Sequence, residues 1–268
     1  MTTAVITGAT HGLGRLVALD LARRGFDLAV IARDAAKVDD LRAEIGSGVT
    51  AFRADLSSLE DVRRVAEEVD ARYDRIDVLV NNAGIHAFSP RVTPEGMPEM
   101  TAVNYLAPWV LTNALRDKLV ASAPARVVIV ASEAARQVRE FDPATALASA
   151  AHYGRTKLMN VMFSQELARR LEGTGVTANC CDPGFNTTGL GRELPFVGLL
   201  EKVLHALRIG DPARGASIIT RLATDPAFAD VTGGYFSVRN AAPLQCPGPG
   251  RGDVQRELWE ATEELLVS

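Results

Sequence analysis

Short apolar runs alternate along this chain with longer stretches in which apolar positions recur at intervals of three and four residues. The short runs fall at 4–7, 28–32, 50–53, 78–81, 127–131, 176–180 and 234–238, each bounded by Gly, Asp, Asn or Pro. They are near-continuously apolar, as strands covered on both faces are, and read as seven buried strands. Helical periodicity covers about 12–24, 37–45, 59–73, 102–119, 153–171, 213–222 and 254–266. Strands and helices in strict alternation predict parallel βαβ units.

With right-handed crossovers, such units build an α/β, doubly wound sheet of the Rossmann type. Seven parallel strands flanked by helices are expected, with the functional residues at the carboxyl ends of the strands. The chain of 268 residues shows no repeat, and its Pro/Gly-rich stretch at 246–250 lies too near the end to divide two domains. It reads as a loop, and a single domain spanning 1–268 is expected.

Composition changes little in this picture: 47% hydrophobic and 23% charged residues are ordinary for a globular protein. The net charge of -4, with basic and acidic residues interspersed, gives no electrostatic reason to expect a nucleic acid partner. No run approaches the roughly 20 apolar residues of a membrane span, and Met1 to Thr3 lead into the first strand without a charged leader, so a cytoplasmic protein is expected. Cys180 and Cys181 are adjacent and Cys246 is distant, which matches neither a disulfide framework nor a zinc site. They read as buried or incidental thiols, and no metal is expected.

The first strand runs into Thr7-Gly8-Ala9-Thr10-His11-Gly12-Leu13-Gly14 and straight on into a helix. Glycines let the backbone turn sharply and approach a pyrophosphate, whose charge the free N–H groups of a helix start then stabilise. His11 adds weak positive charge there or is a neutral surface histidine. The second strand ends Ile31-Ala32-Arg33, with no carboxylate at Ala32 to hold the hydroxyls of an adenosine ribose. A guanidinium at Arg33 suits a 2′-phosphate instead, which points to NADP(H); otherwise Arg33 is a solvated strand end. Tyr153 and Lys157 stand at i and i+4 on one helix face, where an ammonium can lower the pKa of a phenol toward the working range of an acid-base catalyst.

These motifs, with Asn82-Ala83-Gly84 closing the fourth strand, Ser132 after the fifth and Asn104 in the helix between, resemble the short-chain dehydrogenases/reductases over nearly the whole chain. The catalytic-helix segment 153–171, Gly234-Tyr235-Phe236-Ser237 and the long gap between Ser132 and Tyr153 resemble most closely the retinol-dehydrogenase-like and protochlorophyllide-reductase-like branch. Asp182 stands where that branch usually has a histidine. The resemblance implies an Asn104–Ser132–Tyr153–Lys157 tetrad: Ser132 and Tyr153 hydrogen-bond a substrate carbonyl, Tyr153 is the acid/base, and Lys157 also binds the nicotinamide ribose. A water held near the Asn104 backbone carbonyl would return the proton. It further implies that Asp55 binds the adenine amino group, unless Asp55 merely caps the helix beginning near Ser57. Thr10, Leu13, Leu56 and the small residues Asn82, Ala83 and Gly84 would line the cofactor, and Pro183, Gly184 and Thr187 or Thr188 its nicotinamide end.

The apolar-rich segment about 186–209 is expected to be a lid over an apolar substrate, or a helix that only packs on the core. The expected partner is thus an apolar aldehyde, ketone or alcohol, handled as a ketoreductase would. Three readings remain open beside it: a non-catalytic NADP(H)-sensing protein, an enone reductase and an epimerase. The chain is expected to be a monomer or a homo-oligomer.

Overall fold

The computed structural model describes residues 2–34, 36–148, 153–184 and 211–267. In chain order the elements begin β1 (Thr3–Thr7), α1 (Gly12–Arg23), β2 (Asp27–Ala32), α2 (Ala36–Ile45), β3 (Val49–Arg53), α3 (Leu59–Arg72) and β4 (Val78–Asn81). A broken helix follows: α4 (Glu99–Thr101), a π-turn at Ala102–Leu106, α5 (Ala107–Ala114) and α6 (Arg116–Ala121). Then come β5 (Ala125–Val130), α7 (Pro143–Ala148), α8 (Tyr153–Arg170), β6 (Val176–Asp182), α9 (Pro212–Thr224), β7 (Tyr235–Ser237), β8 (Asn240–Leu244) and α10 (Val254–Val267).

The strands form one sheet in the order β3-β2-β1-β4-β5-β6-β7-β8, parallel throughout except for the last pair. The doubly wound α/β fold is therefore as expected, and the order reverses between β1 and β4, where such sheets bind ligands. The sheet has eight strands rather than seven. The extra strand, β8, is an antiparallel edge whose sequence, Asn-Ala-Ala-Pro-Leu, has no β-branched residue. Its Pro243 is tolerated because an edge strand has one side without a ladder partner.

The 102–119 stretch is not one helix. Pro108 has no N–H to return to the carbonyl four residues back, that of Asn104, and the turn just before it widens to the π form. The 246–250 segment holds only a short turn at Gly248–Gly250.

Each sheet face has its own apolar layer. On one side Val17, Leu21, Ile219 and Leu222 of α1 and α9 pack on Ile6, Val30 and Val80. On the other, α3, α5, α8 and α10 pack on Val5, Leu79, Val127 and Ile129. There Trp259 of α10 sits against Trp109 and Phe163 with ring centres 5.3 and 5.7 Å away, and the Tyr105 hydroxyl meets that of Thr262 at 2.7 Å. Among the described residues no helix is long and apolar enough to cross a membrane.

Candidate active site

A cavity of about 540 Å³ opens at the carboxyl ends of β1, β2, β4 and β5. Gly8, Thr10, His11, Gly12, Leu13, Gly14, Arg33, Asp55, Leu56, Asn82, Ala83, Gly84, Ser132, Tyr153, Lys157, Pro183 and Gly184 all line it. Asn104 lies just behind the wall, fully buried. Thr187, Thr188 and the 186–209 lid fall outside the described residues.

The glycine turn has the backbone its sequence requires. Gly8 and Gly12 take φ of +69° and +52°, a region that L side chains rarely enter. A Cβ on Gly14 would sit 2.2 Å from the Gly8 carbonyl oxygen and 2.4 Å from Asn82 Nδ2, so α1 can start this close to β1 only with glycine. The first turn of α1 carries no acidic residue, and the side chain of its N-cap, His11, does not cap it. Such a helix start suits an anionic group.

Asn82 is chiefly a clamp. Its Nδ2 donates to the Thr7 and Gly8 carbonyls at 3.0 and 3.3 Å, while the N–H groups of Asn82 and Ala83 donate to Thr7 Oγ1 at 3.1 and 3.0 Å. At the outer end, the Arg33 guanidinium is exposed and 3.9 Å from Asp55 Oδ2. Four residues on, at the start of α2, Lys37 also faces the cavity, with its ammonium 3.8 Å from Asp34. Asp55 Oδ1 accepts from the Ser57 N–H and hydroxyl at 3.0 and 2.8 Å, whereas the N-cap of α3 is Ser58. Asp55 thus shapes the turn before the helix and still presents its second oxygen to the cavity side.

At the inner end, α8 passes so near the turn after β5 that a Cβ on Gly154 would lie 2.7 Å from the Ala134 carbonyl oxygen. This approach sets Tyr153 beside Ser132, whose hydroxyl is near enough to favour the ionised phenol. Burial pushes the Tyr153 pKa up to about 12, the neighbouring Ser132 hydroxyl lowers it and the charge of Asp182 raises it. Lys157 is buried, and desolvation brings its pKa down to about 8. Its ammonium donates to the Val130 carbonyl at 3.0 Å and lies 5.6 Å from the centre of the Tyr153 ring. The lysine was expected to lower the tyrosine's pKa; here burial outweighs any such effect.

Asn104 grips one residue by both backbone groups: its Oδ1 accepts from Ile85 N–H at 2.7 Å and its Nδ2 donates to Ile85 O at 2.9 Å. The same Nδ2 reaches Thr156 Oγ1 at 3.0 Å, which ties the loop after β4 to the catalytic-helix candidate α8. Gly84 leaves room for this, since its Cβ would meet Lys157 Nζ at 3.2 Å and Asn104 Oδ1 at 3.3 Å. Asp182, buried, accepts from Gly184 N–H at 2.9 Å and holds the turn that carries Pro183.

Sequence reasoning missed Lys37, His86, Arg91 and Glu99 among the cavity residues. Lys37 had a usable signal, a second cation four residues after Arg33, at the start of the next helix. The others sit in the 85–98 loop or just beyond it, which carries no motif. The three cysteines are buried and free, and among the described residues no group of His, Cys, Asp or Glu is placed to hold a metal.

A doubly wound sheet with a glycine turn at its switch point, a Ser–Tyr pair over a buried lysine and a cavity joining them defines an oxidoreductase that uses a dinucleotide. The chain belongs to the short chain dehydrogenase family, whose model matches residues 2–195. It is 35% identical to human (Homo sapiens) retinol dehydrogenase 13 over 98% of this chain and 84% of that one. It is 34% identical, over 97% of this chain and 91% of the relative, to a Streptomyces sp. (strain C5) protein provisionally named daunorubicin C-13 ketoreductase. Among solved structures it resembles one from Beutenbergia cavernae, provisionally an NAD(P) dependent gluconate 5-dehydrogenase with bound NADP, at a TM-score of 0.71 and 32% identity over 88% of this chain and 94% of that one.

Proposed function

We propose that the protein is an NADP(H)-dependent reductase that interconverts a carbonyl and an alcohol on an apolar small molecule, with Tyr153 as the acid/base. The observation that carries this reading is the inner end of the cavity. Tyr153, beside Ser132 and close to the buried Lys157, opens into the same space as the glycine turn and Arg33.

The dinucleotide, when bound, supplies or accepts the hydride. The glycine turn and the start of α1 hold its phosphates, with His11, Thr10 and Leu13 beside them. Arg33 and Lys37 offer two cations at the outer end, which suits a 2′-phosphate better than free ribose hydroxyls. Ser132 and Tyr153 donate hydrogen bonds to the substrate oxygen and stabilise it as charge develops. With its pKa near 12 the phenol is neutral at pH 7, so it holds the proton that carbonyl reduction consumes. Lys157, still mostly protonated at pH 7, holds the proton that restores it. Asn104 fixes the Ile85 backbone at the cavity wall and acts as a positioning residue. The names of the retinol and daunorubicin relatives support an apolar carbonyl.

The test is NADPH consumption against a panel of apolar aldehydes and ketones, with NADH in place of NADPH and with Tyr153→Phe and Arg33→Ala. Expected are a preference for NADPH, loss of turnover in Tyr153→Phe, and NADPH binding weakened about tenfold or more in Arg33→Ala with NADH binding little changed, the worth of a charge-assisted hydrogen bond. NADPH binding without turnover of any carbonyl would overturn the reading.

A further inference from the structure

Three aromatic rings stand in a column: Tyr153 and His86 line the cavity, and Phe88 extends the stack beyond its lining. The His86 ring lies 4.7 Å from that of Tyr153, with planes 31° apart, and the Phe88 ring lies 4.8 Å from His86 at 37°. The column therefore begins at the proposed catalytic phenol and ends on a phenyl ring that is 55% exposed. Rings stacked to build a core would end buried. This stack ends at the surface.

The loop that carries His86 and Phe88 is fastened in place. Asn104 holds its first residue, Ile85, by both backbone groups. Further along, the Glu95 carboxylate accepts from the Leu59 N–H at 3.2 Å and the Ser58 hydroxyl at 3.1 Å, pinning the loop to the start of α3. A bridge between Val92 and Pro98 closes its far half. Phe88 is thus an apolar ring held in position by contacts that do not involve it.

We infer that the Tyr153–His86–Phe88 column is one wall of the substrate site, and that it selects a carbonyl attached to a flat aromatic ring system over a saturated one of equal size. This inference rests on the carbonyl-reduction reading above for the position of the reacting oxygen, which Tyr153 and Ser132 fix. A planar substrate ring beside that oxygen meets a ready-made aromatic face, and offset or tilted ring contacts add to the plain burial of apolar area. A saturated ring gains only the burial. His86 and Phe88 act here as specificity-determining residues.

The experiment uses the whole protein, saturated with NADP+ for binding and supplied with NADPH for turnover, and two ketones of the same carbon skeleton, 2-acetylnaphthalene and its fully saturated acetyl-decahydronaphthalene counterpart. Binding is read by calorimetry and turnover by NADPH absorbance. The wild type is expected to bind the aromatic ketone about twofold to tenfold more tightly, the increment a ring pair adds. Phe88→Ala and Phe88→Leu should lose most of that preference while the affinity for the saturated ketone holds, and His86→Phe should keep it. Phe88 is exposed, so its variants should fold.

Equal affinity for the two ketones, no binding of either, or a preference unmoved by Phe88→Ala would each overturn the wall. The two readings fail separately. Preferential binding that depends on Phe88 but gives no turnover would sink the reduction chemistry and uphold the wall; turnover of both ketones with equal affinity would do the reverse.

Discussion

Burying Lys157 should make the protein less stable than it would be without that charge, and replacing it by methionine tests this. The ammonium lies almost wholly inside, 3% exposed, and desolvation moves its pKa from the ordinary 10.5 to about 8. At 1.36 kcal/mol per unit, that displacement corresponds to about 3 kcal/mol against the folded state when the lysine is charged. The sign follows from the direction. A folded pKa below the unfolded one means that the penalty is absent above about pH 10.5, grows as the pH falls, and is complete below about pH 8.

Lys157→Met removes the charge and keeps an unbranched side chain of similar length. It also removes the hydrogen bond to the Val130 carbonyl, worth about 1 kcal/mol, although Asn160 Nδ2 still donates to that oxygen at 3.4 Å. The variant should therefore be more stable than the wild type by about 2 kcal/mol at pH 7, or about 4 to 8 °C in Tm. Urea unfolding of both proteins at pH 7, 8.5 and 10, without cofactor, gives the difference directly. Tyr153, whose raised pKa stabilises the fold below pH 10 and ceases to do so above about 12, is common to both and cancels. A variant less stable at pH 7, or a gain that does not shrink toward pH 10, would refute the reasoning.

Two further substitutions probe packing. Gly14→Ala forces a Cβ to within 2.2 Å of a backbone oxygen, so it should lower stability by about 1 to 3 kcal/mol and weaken NADPH binding in a fluorescence titration; unchanged affinity would count against the role of the turn. Trp259→Ala should cost about 2 to 4 kcal/mol in chemical unfolding, a large-to-small loss partly offset because its indole N–H is buried without a partner among the described residues. Trp259→Phe keeps most of the ring contacts and sheds that N–H, so it should stay within about 1 kcal/mol of wild type; a loss as large as that of the alanine variant would show that the N–H is satisfied after all.

Most strands were legible because a parallel sheet buried on both faces writes itself as uninterrupted apolar runs, and the observed bounds of β1 to β7 differ from the expected ones by a residue or two. β8 was not legible. Its pairing with β7 comes from a tight return after Ser237, not from any pattern in Asn-Ala-Ala-Pro-Leu. Spacing put Tyr153 and Lys157 on one face of a helix, and they are neighbours. Spacing could not show that the lysine turns its donor to a strand carbonyl, nor that burial decides both pKa values. The glycine turn was readable because each glycine answers a local backbone demand, whereas His86 and Phe88 matter only through where the Asn104 and Glu95 contacts place their loop.

The helix that seals the sheet's second face is separated from its partners in time as well as in sequence. Tyr105, Trp109 and Phe163 are synthesised long before Trp259, so the layer they form stands open while β6, β7 and the stretches around them are still being made. Folding proceeds from the amino-terminal side during synthesis, and surfaces left uncovered at that stage are those that aggregate. A polypeptide interrupted before Val254 would carry every residue that lines the cavity, yet present an aromatic patch with nothing to close it.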